Sequence, residues 1–137
     1  MITMIDVENQ VYTAVATTLR NRFNKIYVTG TYTPKPPRFP CVFFMETDNS
    51  TWMDSADSDS LENHVSVTYT ADIYSVKQTG AKSECKKIAS VVDEVMGRLG
   101  FERTSLGRTP NELDSTVYRI TIMYEGIVSK DEVIYRR

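Results

Sequence analysis

The sequence predicts one α+β domain: two helices packed on one face of a mostly antiparallel sheet, in the order α-β-β-β-α-β-β. Three observations lead there. Two segments repeat apolar residues at spacings of three and four, and several others alternate apolar and polar residues with a period of two. At 137 residues, 41% hydrophobic and 25% charged, the chain has the size and composition of a single folded domain, taken as residues 1–137. No internal repeat breaks it into smaller units.

The first helical segment is 5–23. Val11, Ala14, Val15, Thr18, Leu19, Arg22 and Phe23 fall on one stripe, with Asp6, Gln10, Thr13 and Arg20 on other faces. Asp6 near its start and Arg20 and Arg22 near its end suit the helix dipole. Residues 26–33, rich in β-branched and aromatic side chains, read as a short strand. Pro34, Pro36, Pro37 and Pro40 follow within seven residues; without N–H donors they make a rigid extended connection or a sheet edge. Residues 39–47 form a second strand. The composition then changes abruptly at 48–63, where Asp48, Asp54, Asp57, Asp59 and Glu62 supply five negative charges and no positive one. This is expected to be a long acidic loop, and long loops in compact domains are more often functional than idle.

The third strand is long: Val65, Val67, Tyr69, Ala71 and Ile73 alternate with Ser66, Thr68, Thr70, Asp72 and Tyr74. A second helix at about 79–99 lines up Ala81, Cys85, Ile88, Val92, Val95 and Leu99, with Gly100 placed to stop it. Burying those six side chains is worth on the order of 10 kcal/mol gross, so packing rather than propensity holds this helix. Strands at 101–109 and 115–128 are joined by a turn at 110–114. In the second of them Tyr118, Ile120, Ile122 and Tyr124 face one way, and Val117, Arg119, Thr121, Met123 and Glu125 the other. A short alternating piece, 133–137, closes the chain.

Sixteen Lys and Arg against eighteen Asp and Glu leave a net charge of -2. Such balance argues against a nucleic-acid coat, and no basic block suits an acidic membrane surface. No stretch nears the ~20 apolar residues of a membrane span. The first six residues lack the basic and apolar regions of a signal peptide. Cys41 and Cys85 carry no CxxC spacing, so buried free thiols in a reducing cytoplasm are expected.

The residue types that carry chemistry are sparse. The one histidine, His64, is expected on the outward face of the sheet; a triad drawn from it with Asp59 and Ser66 has no nucleophile elbow to support it. An EF-hand starting at Asp57 fails, because Leu61 stands at its fifth position and Glu62 in place of its glycine. The six glycines form no phosphate-binding loop. The expectation is no enzyme, no cofactor and no metal, and a protein that acts through its surfaces.

Three surfaces are candidates. Trp52 and Met53 sit inside the acidic loop, either capping their own sheet or anchoring in a neighbouring subunit, with Asp54, Asp57 and Asp59 around them. The outer sheet face is semi-apolar through Val117, Thr121, Met123, Thr68 and Thr70, with Arg119 in its middle. The terminal piece, with Tyr135 and Arg136, either ends its own sheet or adds as an edge strand to another chain.

From its N-terminal helix onward the chain also resembles a known family. The Pro-rich turn into PRFPCVFFMETDN is followed by the strand VSVTYTADIYS and the helix AKSECKKIASVVDEVMGRLGF. After these come the turn RTPNELD and the strand VYRITIMYEGIV. Together these resemble the tail-terminator, or tail-completion, proteins of long-tailed bacteriophages and prophages over nearly the full length. The resemblance implies an α+β subunit without catalytic residues that assembles into a homo-oligomeric ring, typically a hexamer. The ring would sit on the head-proximal end of the tail tube in the virion, after assembly in the host cytoplasm. There it would stop tube polymerisation and present the head-tail joining surface to a head-completion or neck protein, with DNA only passing through its lumen. Other neck or tail-tube subunits stay open as alternatives, as does a small ligand-binding or enzymatic α+β domain with a concave pocket.

Overall fold

The computed structural model describes residues 4–51, 64–110 and 116–135. The elements follow the expected order: α1 Glu8–Arg22, β1 Tyr27–Thr29, β2 Cys41–Thr51, β3 His64–Ser75, α2 Ala81–Leu99, β4 Glu102–Arg108 and β5 Tyr118–Ser129. The strands form one sheet in the order β1-β2-β3-β5-β4. Three of its four pairings are antiparallel; only β1 runs parallel to β2, linked to it by the proline-rich residues 30–40.

Both helices lie on the same face. α1 covers β1 and β2, α2 covers β3, β5 and β4, and the helices pack against each other. The alternation within the strands explains this. Val65, Val67, Tyr69, Ala71 and Ile73 from β3 and Ile120, Ile122 and Tyr124 from β5 all enter the helix-side core. They meet Val11, Val15, Ala16 and Leu19 of α1 and Cys85, Ile88, Ala89, Val92, Val95 and Met96 of α2. Phe44 stacks on Tyr69 at 5.4 Å, and Phe101 meets Tyr69 edge-on at 5.2 Å, so one aromatic column runs from β2 across β3 to the link between α2 and β4.

The helix ends follow local chemistry. Asp6 Oδ1 accepts the Glu8 N–H at 3.0 Å, giving α1 a carboxylate at its positive end. α2 stops at Gly100, whose φ of 106° suits glycine; the Phe101 N–H reaches Met96 O at 2.9 Å in the 6→1 bond of a Schellman ending.

Two boundaries differ from the sequence reading. β2 runs on to Thr51, so Asp48, Asn49, Ser50 and Thr51 pair with Thr68, Val67, Ser66 and Val65 instead of opening the acidic loop. The β3 ladder supplies partners that outweigh the poor strand propensity of Asp and Asn, and a register shift between Glu46 and Asp48 accommodates them. β1 is only three residues long. The C-terminal piece returns onto its own sheet: Ile134 bridges Val128, and the Tyr135 N–H donates to Ile127 O at 2.9 Å. No helix among the described residues is long and apolar enough to cross a membrane.

Candidate interaction surface on the helix-free sheet face

The face opposite the helices has two unlike regions. Its middle is laced with polar side chains. Arg119 donates to Asp72 Oδ1 through Nε at 3.0 Å and Nη2 at 2.9 Å, and Thr121 donates to the same oxygen at 2.6 Å. Thr121 also pairs with Thr109 at 2.6 Å, Thr47 with Thr70 at 3.0 Å, and Ser66 donates to Glu125 at 3.1 Å. These are cross-strand neighbours by register, since Asp72 stands opposite Thr121 and Tyr74 opposite Arg119. Arg119, read from sequence as a charge in the middle of an open face, therefore spends its guanidinium on Asp72 and on the Tyr74 ring, 5.4 Å away. Met123 lies on the same face and is exposed.

The end of this face formed by the start of β2, the end of β3 and the start of β5 is apolar. Cys41, Phe43, Tyr74 and Val117 make a second buried cluster, joined by Tyr27, Phe39 and Met45. Phe43 meets Tyr74 edge-on and Tyr32 at a tilt, each at 5.4 Å. The 30–40 connection crosses over this end and roofs a hollow of about 630 Å³. Its floor is Phe43, Tyr74 and Val117, its wall includes Tyr32, Pro34 and Pro36, and its charged groups are Lys35, Arg119 and Asp72. The hollow has the size and mixed lining of a binding site.

Asp72 anchors the polar lattice, so its loss is informative. Asp72→Ala strands the half-buried Arg119 and Thr121 donors, and we expect it to lower unfolding stability by about 1–3 kcal/mol, at the lower end because both partners keep some solvent contact. Asp72→Asn, which keeps one acceptor, loses less; urea titration of both variants measures the difference.

At the opposite end of the sheet Tyr135 stacks on His64, ring centres 5.2 Å apart, with its hydroxyl 2.8 Å from Nε2. His64 is thus tied to the chain's own terminus, and Ser66 bonds Glu125 rather than completing a triad. Of the surface residues singled out from sequence, Arg119, Met123 and Tyr135 share this sheet face but do not converge. Trp52, Met53, Asp54, Asp57, Asp59 and Arg136 lie outside the described residues.

Sequence reading missed two groupings. The residues of the hollow come from four separate segments, and only the clustered prolines, with Tyr32 just before them and Phe39 among them, hinted at it. Asp6, Glu8 and Glu46 bring one carboxylate oxygen each within 4.8 Å of one another beside the start of α1. The protein's own donors hold this trio: Glu8 N–H bonds Asp6, Glu46 N–H bonds Glu8 at 2.8 Å, and the Tyr69 hydroxyl bonds Glu46 at 3.2 Å. Partial burial, and then the neighbouring Glu8 charge, push the Glu46 carboxyl above its ordinary value, against the Tyr69 bond that lowers it. The two cysteines are buried and free, as expected from the sequence.

No family model matches the chain, and none of the curated proteins compared with it matches either.

Proposed function

We propose that this chain is a structural subunit that assembles into a ring, in the manner of the tail terminators its sequence resembles. The observation that carries the reading is the sheet face that neither helix covers. Two helices cover one side of the sheet, while the other keeps exposed Met123 in its middle and an aromatic-floored hollow at one end. A closed ring needs two different complementary patches on every subunit, and this face, with the acidic stretch that follows β2, offers two patches of opposite character. The α+β order agrees with the fold class that the resemblance implies. On this reading the partners are further copies of the chain, a tail-tube protein below and a neck protein above, and DNA meets only the lumen.

The hollow itself favours a second reading, a small-ligand-binding domain, because it combines aromatic walls with the Arg119–Asp72 pair. Electron micrographs of the purified chain at rising concentration separate the two. Annular particles with a central channel support the ring; compact single-subunit particles at every concentration, with a small molecule seated in the hollow, support the binding domain.

A further inference from the structure

The hollow and the far end of β2, after which the acidic stretch continues in the sequence, stand at opposite ends of the sheet. Phe43 in the floor of the hollow and Thr51 at the end of the described part of β2 are separated by eight strand residues, about 26 Å at ~3.3 Å per residue. Trp52 follows Thr51 directly, and one peptide link adds at most ~3.8 Å. The strand that floors the hollow thus ends far from it, at the point where Trp52 follows in the sequence.

We propose that the hollow receives Trp52 and Met53 of a second copy of this chain, joining subunits head to tail. The inference rests on the ring reading above and supplies its joint. A volume of about 630 Å³ lies within the ~300–1,000 Å³ range that takes a drug-sized group, room enough for an indole and a thioether. Tyr32 is exposed and offers an open ring to an aromatic guest above a floor of Phe43 and Tyr74. Among the described residues Asp72 accepts through Oδ1 alone, which leaves Oδ2 as an acceptor for the indole N–H. Charge agrees as well: Lys35 and Arg119 outnumber Asp72 at the hollow, whereas residues 48–63 carry five negative charges and no positive one. The wall holding Pro34 and Pro36 is stiff before the guest arrives, which lowers the ordering cost of binding. Because donor and acceptor are different patches at opposite ends, the contact is heterologous, and repetition generates a ring where the rotation closes.

Trp52 is the only tryptophan, so its emission reports directly on the joint. The host is full-length Trp52→Ser protein, silent in tryptophan fluorescence, titrated with a peptide of residues 48–63. A saturable blue shift is expected, weakened at least tenfold by Lys35→Glu and further by Tyr32→Ala, both exposed positions. A complementary experiment mixes two full-length variants, Trp52→Ser/Met53→Ser and Tyr32→Ala/Lys35→Glu. Each alone should be monomeric, and the mixture should stop at a 1:1 dimer, since each variant keeps one working patch. Unchanged peptide emission, or a shift indifferent to the hollow variants, overturns the proposal; so does unfolding of the Trp52→Ser/Met53→Ser protein, which would place the pair in the subunit's own core. If wild type and both variants all form rings, the joint lies elsewhere and the ring reading survives without it. If the peptide binds but wild type never passes the dimer, the docking stands and the ring reading falls.

Discussion

Gly126→Ala should destabilise the fold by about 1–3 kcal/mol, and Gly126→Val should abolish it or nearly so. Gly126 lies in β5 with the Phe101 ring folded over it; an added Cβ would stand 2.5 Å from one ring carbon and 2.7 Å from the next. Phe101 cannot simply turn away, because it is buried and packed edge-on against Tyr69, which is itself stacked on Phe44. The ring covers the bare backbone of a strand glycine and so replaces the side chain that the strand lacks. A single methyl at Gly126 must therefore be absorbed by the whole aromatic column. Urea denaturation measures the loss. A companion change, Phe101→Leu in the Gly126→Ala background, should recover part of it by making room. Wild-type stability in Gly126→Ala would show that the column yields without cost.

Stability should fall steeply between pH 9 and 12. Burial pushes the Cys41 and Cys85 thiols from an ordinary 9.0 up to about 12. Burial, with Asp72 adding to it, raises Tyr74 from 10.0 to about 12, and Tyr69 and Tyr124 are driven further upward for the same first reason. Each group keeps its proton in the native state at a pH where the unfolded chain has released it. The stabilisation is complete below about pH 9 and is lost as pH rises. Each unit of pH costs about 1.4 kcal/mol for every group whose unfolded form has ionised while its native form has not. The thiols act first, from about pH 9, and the phenols join from about pH 10, so the total reaches several kcal/mol by pH 11. Urea midpoints at pH 8, 9, 10 and 11 test this. Cys41→Ala/Cys85→Ala should flatten the first part of the decline while leaving the tyrosine part, and a midpoint constant from pH 8 to 11 would contradict the burial argument.

The helices and the two long strands were legible because each buries one continuous face, and that burial writes a period into the sequence. The stripe from Cys85 to Val95 and the alternations from Val65 to Ile73 and from Tyr118 to Tyr124 are records of a single interface. Gly100 was legible as a stop because its left-handed backbone is a local requirement. What depends on register was not legible. The Asp72–Arg119–Thr121 cluster joins residues 47 and 49 positions apart, and it exists only because β3 and β5 pair in one particular alignment. The extension of β2 through Asp48 and Asn49 is likewise imposed by its partner strand against local propensity. The hollow needs the proline-rich connection to cross the face away from the helices, a choice that composition does not record. The candidate surface was thus half visible: Arg119 and Met123 were found on the correct face, while Asp72, Tyr74 and Phe43, which give that face its shape, were read only as strand residues.

If copies of this chain close into a ring as proposed, the light-scattering mass of the purified protein across a wide concentration range will show it. The expected result is a species of several chains, near six, that grows in with concentration and then stops growing, because a closed ring leaves no patch unpaired. A mass that stays at one chain up to the solubility limit, or one that climbs without a plateau, contradicts it.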